Sequence, residues 1–142
     1  IGEIYSVQGD DFKALDYFKK SLKIVLSVYG ENHSQVSSIY DHIGEIYFAQ
    51  KDYSKALYYF EESLKIRLSL FGENHPEVAL SYYSIGSLYI IQGDKSKALN
   101  YYEKSLKIRL SVYGENHPLT KEIMDLINVA NSKVLQSPET TK

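Results

Sequence analysis

The sequence contains no cysteine, no tryptophan, one methionine and three prolines among its 142 residues. Without cysteine there is no disulfide framework, and no thiolate is available as a nucleophile or metal ligand. The formal net charge of −2 is too small to indicate a nucleic-acid or membrane partner. No apolar run reaches the roughly 20 residues that a membrane-spanning helix needs. These absences leave a globular protein of ordinary composition.

What the sequence does contain is one unit repeated at a step of 42 residues. The stretch SLKIRLSLFGENHP at 63–76 returns as SLKIRLSVYGENHP at 105–118, and its earlier copy is SLKIVLSVYGENHS at 21–34. A fixed period between about 20 and 50 residues is typical of stacked-repeat proteins. The chain opens inside a repeat, so we expect it to be a segment of a longer protein.

Each repeat is predicted to form two helices joined by a short turn. Apolar residues at helical spacing predict first helices over about 35–50 and 77–92, and longer second helices over about 11–29, 53–71 and 95–113. The turns are Gly-Asp except in the middle repeat, where Lys51 replaces glycine. If the backbone there is left-handed, the lysine adds about 1 kcal/mol of strain. We expect the Lys, Glu and Arg residues of the second helices to lie on their outer faces.

The C-terminal part of the chain departs from the repeat. The last helix, predicted over about 119–135, has asparagines where the earlier repeats have Gly or Tyr, which is typical of a capping helix. Residues 137–142 contain a proline and no apolar side chain, so we predict a disordered tail there. The predicted repeat domain therefore covers 1–136, with repeats at about 1–34, 35–76 and 77–118 and a capping helix at 119–136.

Two glycines inside first helices indicate a close helix crossing. A glycine inside a helix costs about 1 kcal/mol relative to alanine, so Gly44 and Gly86 need a packing reason. We expect Ala56 and Ala98 to lie opposite them. The residues that recur in register with these are Tyr40, Ile43, Tyr47, Phe60 and Ser63, and then Tyr82, Ile85, Tyr89, Tyr102 and Ser105.

This spacing of small and large residues resembles the signature of the tetratricopeptide repeat. The 42-residue form with a His-Pro linker resembles the repeats of kinesin light chain and related scaffold proteins. HEAT-type helical repeats are the alternative, but they would not predict the Gly/Ala crossing. The resemblance implies an all-α fold: a right-handed superhelical solenoid of antiparallel helix pairs, with about three units and a C-terminal capping helix.

The resemblance also implies a cytoplasmic scaffold whose first helices line a concave groove that binds a partner protein or peptide. The partner-binding residues that it implies on this sequence are Asp41, His42, Glu45, Phe48, Tyr83, Ser84, Ser87, Ile90, Ile91 and Asp125. They are acidic, polar or apolar, whereas family members that hold a terminal carboxylate use Lys, Arg and Asn on this face. Because acidic groups attract positive charge, we predict a basic or aromatic-rich partner.

Sites for chemistry are not indicated. The linker histidines His33, His75 and His117 belong to different repeats, roughly 10 Å apart, too far to share one metal ion. We expect them to cap and turn. His42 could form a weak cation site with Asp41 and Glu45, but a solvated histidine is the simpler interpretation. No nucleophile–base set or phosphate-binding glycine motif appears, which predicts a protein that is not an enzyme and has no cofactor.

Two further functions compete with partner binding. The fourteen tyrosines could stack on nucleic-acid bases, but most fall on packing positions and the net charge is negative. The stronger alternative is a structural spacer or a self-associating array without a peptide ligand. The first repeat lacks the start of its first helix, which would leave an apolar flank uncovered, and such flanks favour homo-oligomers.

Overall fold

The computed structural model describes residues 10–140 and the side chains of residues 10–132. The incomplete first helix predicted over residues 1–8 lies outside this part of the chain. Within it all regular structure is helical, and the helices in chain order are α1 (Asp11–Tyr29), α2 (Ser34–Ala49), α3 (Tyr53–Phe71), α4 (Pro76–Gln92), α5 (Lys95–Tyr113) and α6 (Pro118–Thr140). The predicted all-α class is confirmed.

The helices form two compact units, which we call unit 1 (residues 1–72) and unit 2 (residues 73–142). In unit 1, α2 packs against both α1 and α3, and in unit 2, α5 packs against both α4 and α6. The pairs α2–α3 and α4–α5 are the two complete repeats that the sequence predicted. Each pair therefore provides its own core, and the two cores can be compared residue by residue at a spacing of 42.

The predicted close crossing is confirmed in both units. A Cβ atom built on Gly44 would lie 2.7 Å from the Phe60 ring and 3.3 Å from the carbonyl oxygen of Ala56. In unit 2 the same atom on Gly86 would lie 2.7 Å from the Tyr102 ring and 3.2 Å from the Ala98 carbonyl oxygen. Only glycine fits at these positions without moving a buried ring. The glycines therefore allow the two helices of each repeat to pack this closely.

The linker histidines cap the first helices, as the sequence predicted. The Nδ1 atoms of His33, His75 and His117 each accept a hydrogen bond of 3.1 Å from the backbone N–H two residues further on. A nitrogen that accepts cannot carry a proton, so the proton of the neutral ring sits on Nε2. The ring of His33 also stacks on Tyr29, with centroids 4.3 Å apart. These contacts give the repeated histidine a structural role.

Aspartates cap the second helices. The side chains of Asp10, Asp52 and Asp94 each accept a hydrogen bond from the backbone N–H three residues on, at 3.2, 3.3 and 3.1 Å respectively. The turn before Asp52 contains Lys51, whose φ of 64° is left-handed, as is the φ of 84° at Gly93. The left-handed backbone that the sequence indicated at Lys51 is therefore confirmed.

The last helix is longer than the sequence predicted. It continues to Thr140, whereas an end near position 135 and a disordered tail over 137–142 were expected. Apart from the proline at position 138, the residues of this stretch carry only modest helix penalties, and polarity alone does not end a helix.

Candidate partner-binding surface

A buried arginine occupies the same repeat position in both units. Arg67 on α3 is 2% exposed and Arg109 on α5 is 3% exposed, so the expectation that these arginines lie on an outer face is wrong. The sequence did contain a signal. Ala56, Phe60 and Ser63 are buried at steps of three and four, and the next such step falls on Arg67. Both arginines support side chains of the first helices.

In unit 1 the buried arginine holds a carboxylate. An Nη atom of Arg67 lies 2.6 Å from Oδ2 of Asp41, and the Asp41 side chain is only 15% exposed. Burial raises the pKa of this carboxyl group, and the positive charge of Arg67 acts in the opposite direction. Asp41, predicted to contact a partner, is thus already engaged inside the unit. We therefore assign it to the support of the surface and exclude it from the contact residues.

In unit 2 the equivalent arginine supports an aromatic ring. Tyr83 stands at the repeat position of Asp41, and the guanidinium carbon of Arg109 lies 5.4 Å from its ring centroid. Arg109 also donates a hydrogen bond of 3.1 Å to the Leu119 carbonyl oxygen, and an Nη atom lies 3.7 Å from Glu122. Burial lowers the pKa of Arg109, while Glu122 raises it. The arginine orients Tyr83 by a cation–π contact.

The other predicted residues of unit 1 form a small polar and aromatic group on α2. The His42 ring stacks on Phe18 with centroids 4.8 Å apart, and its Nδ1 lies 3.5 Å from an oxygen of Glu45. Glu45 is exposed, and Phe48 is partly exposed with its ring edge-on to Tyr53 at 5.7 Å. Helix α2 therefore presents one exposed carboxylate, Glu45, beside a histidine.

The predicted residues of unit 2 are mostly apolar. Ile91 is 54% exposed, and Ser84, Ser87 and Ile90 are partly exposed along the same helix, α4. The Ser87 hydroxyl lies 2.9 Å from the Tyr102 hydroxyl, a hydrogen bond that unit 1 cannot form because Phe60 stands at the equivalent position. On α6, Asp125 is exposed.

The two first helices differ in charge. Helix α2 carries Asp41 and Glu45, whereas Glu77 is the only charged residue in Pro76–Gln92, and neither helix contains Lys or Arg. Leu80 is also 40% exposed on α4, although leucine is ordinarily a core residue. The term first-helix surface is used for each unit by itself: it consists of Glu45 and Phe48 in unit 1, and of Leu80, Tyr83, Ser84, Ser87, Ile90 and Ile91 in unit 2.

The described residues include no group of three or more His, Asp or Glu side chains placed to hold a metal ion. In the same part of the chain, every helix is too short or too polar to cross a membrane. What the geometry offers is a helical surface that can take up another molecule by contact.

These features define a class: an all-α helical-repeat protein whose first helices carry accessible aromatic, aliphatic and acidic side chains. The sequence model of the tetratricopeptide repeat family matches residues 1–69 and 37–111. The chain belongs to the tetratricopeptide repeat family, as its small-and-large spacing predicted. No curated protein sequence matches it.

Solved structures show the same fold. BtubC (BKLC) from P. vanneervenii is 24% identical with a TM-score of 0.86, over 94% of this chain and 53% of that chain. The kinesin light chain-type protein of P. anserina, with nearly identical repeats, is 17% identical with a TM-score of 0.82, over 97% and 65%. The N-terminal domain of stress-induced protein-1 from C. elegans is 18% identical with a TM-score of 0.65, over 92% and 88%.

This chain thus spans about half to two-thirds of the length of the first two of these proteins. At these identities the comparison establishes the fold.

Proposed function

We propose that this chain is a protein-interaction module whose first-helix surface binds a segment of a partner protein. Tetratricopeptide repeats generally mediate protein–protein interaction, and this chain belongs to that family. The finer statement, that the partner lies on the first helices, is our proposal. The resemblance to the family likewise implied that a partner lies against the first helices.

The observation that carries the proposal is the composition of α4. This helix has a single charged residue, and yet Leu80 and Ile91 are 40% and 54% exposed. A helix that is apolar on nearly all sides is ordinarily buried, so its exposed part is expected to contact another molecule. Tyr83 adds a large ring that Arg109 holds in place, which lowers the entropy lost on binding. Oriented aromatic side chains are common binding anchors.

The charges indicate the kind of partner. Glu45 in unit 1 and Asp125 in unit 2 are exposed carboxylates, and α2 and α4 contain no Lys or Arg. Acidic groups attract basic side chains and repel carboxylates. We therefore expect a segment that is rich in basic and aromatic residues. The absence of exposed cations on these helices argues against capture of a terminal carboxylate.

The test is binding of a fluorescent peptide, chosen from a random peptide library for affinity to this chain. We expect Ile91→Asp and Tyr83→Ala each to weaken binding about 10-fold or more, because truncated anchors often cost 2 kcal/mol or more. Glu45→Arg is expected to weaken the binding of a basic peptide, because the new arginine repels its positive charge. Fluorescence anisotropy measures the affinity of each variant.

The matched controls are Tyr58→Ala and Glu61→Arg, which change an exposed tyrosine and an exposed glutamate on the second helix α3. Helix content and thermal unfolding of every variant separate loss of binding from loss of fold, which matters most for Tyr83 because it contacts Arg109. If the α4 variants bind as well as the unmodified chain while the α3 controls weaken binding, the first-helix surface is the wrong surface.

Self-association is the second candidate, and exposed apolar side chains on α1 favour it. Phe12 is 83% exposed, and Ile24 and Val28 are each 64% exposed. Apolar residues of this kind on a repeat helix can pack against a second copy of the chain. Light scattering over a range of protein concentrations tests this. A rising mass that Ile24→Lys and Val28→Lys abolish would support self-association, and a constant monomer mass would exclude it.

A further inference from the structure

A cleft in unit 2 lies apart from the first-helix surface. It is lined by the linker residues Glu73 and Asn74, by Tyr82 of α4, and by Lys104, Lys107 and Ser111 of α5, and its volume is about 500 Å³. The side-chain amide of Asn74 donates a hydrogen bond of 3.2 Å to the Ser111 hydroxyl. This bond ties the linker to α5, so one wall of the cleft is fixed.

The two lysines give the cleft a positive charge. Both are exposed, and neither forms an ion pair with any residue of 10–132. The Nζ atom of Lys104 lies 5.5 Å from the Tyr82 ring centroid and 5.3 Å from that of Tyr101. These cation–π contacts hold the ammonium group at the cleft, and its remaining donors stay open to solvent.

Unit 1 has the opposite charge at the equivalent place. Glu62 stands at the repeat position of Lys104, and its carboxylate lies 2.7 Å from Nζ of Lys65. The nearby Tyr40 has a raised pKa, mainly because it is partly buried and also because Glu62 and Glu31 are negative. Unit 1 thus combines one lysine with two glutamates, while unit 2 combines two lysines with Glu73. The difference at one repeat position, Glu62 in unit 1 and Lys104 in unit 2, reverses the sign of the net charge of this group of residues.

We propose that the unit 2 cleft binds an acidic segment of a partner protein, through the side-chain carboxylates of neighbouring Asp or Glu residues. Lys104 and Lys107 supply the charge, and the hydroxyl groups of Tyr82 and Ser111 can donate hydrogen bonds to a carboxylate. The volume accommodates one or two acidic side chains. This surface shares no residue with the first-helix surface, which we expect to take basic or aromatic segments, so the chain would contact a partner of mixed charge at two places.

The experiment uses fluorescein-labelled hexaglutamate as the probe and fluorescence anisotropy as the readout. We expect Lys104→Glu, which copies unit 1, to weaken binding about 10-fold. Glu62→Lys, which copies unit 2, should add a second site and double the stoichiometry. Binding should weaken as salt is raised, because the lysines are exposed.

The matched control is Lys121→Glu, since Lys121 is an exposed lysine on α6 outside the cleft and the net charge changes by the same amount. Loss of binding in Lys104→Glu with retention in Lys121→Glu supports the cleft. Equal binding in the two variants, whether both lose or both keep the probe, overturns it, because the attraction would then be general or absent. The library peptide of the first-helix test should bind Lys104→Glu unchanged, so the two proposals can fail separately.

Discussion

The two complete repeats share one backbone arrangement and differ in the side chains that it presents. In both, a glycine of the first helix lies against an aromatic ring and an alanine carbonyl oxygen of the second helix. Both also bury an arginine on the second helix. Within that common frame, unit 1 buries an Asp41–Arg67 ion pair where unit 2 stacks Tyr83 on Arg109. The comparison shows that small residues at the crossing maintain the fold, while the arginine accepts either an acidic or an aromatic neighbour.

The same comparison explains why the two units have different surfaces. Because Arg67 neutralises Asp41, the accessible charge of α2 comes mainly from Glu45. In unit 2, Tyr83 replaces Asp41, which leaves α4 almost uncharged. The hydrogen-bonded pair Ser87 and Tyr102 takes the place of Glu45 and Phe60. Each difference is a coupled change of neighbouring residues, so exchanging the residues between units is the natural way to test it.

The largest effect is expected from the buried arginine. Asp41→Ala should destabilise the chain by about 3–5 kcal/mol, because it leaves the Arg67 guanidinium buried without its carboxylate. Asp41→Tyr, which copies unit 2, should recover much of this loss through a cation–π contact. Urea unfolding measured on both variants is the test. If Asp41→Tyr is as unstable as Asp41→Ala, the acidic and the aromatic partner of the buried arginine are not interchangeable, which would contradict the comparison between the units.

A smaller but equal effect is expected at the crossing in both units. Gly44→Ala and Gly86→Ala should each cost about 1–3 kcal/mol, because the new Cβ overlaps a buried ring and overpacking outweighs the gain in helix propensity. The unfolding midpoints of the two variants provide the measurement. Stabilisation in either variant would show that the helices can separate there at no cost.

Loss of a histidine cap should cost about 0.5–2 kcal/mol, the usual range for removing a helix N-cap. His33→Ala tests this in unit 1 and His117→Ala in unit 2, with His→Asn at the same positions as the matched control because asparagine is also a good cap. Thermal unfolding by circular dichroism follows each variant. If the asparagine variants are as unstable as the alanine variants, then the stacking on Tyr29 and Tyr113 matters more than the hydrogen bond.

The smallest effect concerns the turns. Lys51→Gly should stabilise unit 1 by up to about 1 kcal/mol, since glycine adopts a positive φ without steric cost. Gly93→Lys should destabilise unit 2 by a similar amount. Differential scanning calorimetry of the two variants gives opposite shifts of Tm if the left-handed turn is the cause, and shifts of the same sign would contradict it.

Much of the fold could be predicted because the repeat presents each position more than once. The helix bounds of α1, α3 and α5, the left-handed Lys51 and the crossing at Gly44 and Gly86 all follow from turn, cap and spacing rules. The burial of Arg67 and Arg109 could not be read from residue type, because arginine is ordinarily exposed. Only the side-chain spacing along the helix indicated it.

The binding residues were harder to predict than the fold. The sequence assigned Asp41 to the partner surface, and its ion pair with Arg67 depends on side-chain reach between two helices, which periodicity does not report. The positive charge of the unit 2 cleft could have been predicted from the sequence, because Lys104 stands where the preceding repeat has Glu62.

The most direct test of a first-helix binding surface is a map of the contacts made by the library-selected peptide, from backbone amide shifts in ¹H–¹⁵N NMR spectra of the labelled chain. We predict that the largest shifts on α4 occur at Leu80, Tyr83, Ile90 and Ile91, and that they disappear in Ile91→Asp. Shifts confined to the second helices α3 and α5, with α4 unchanged at saturating peptide, would contradict the claim that the first helices bind the partner.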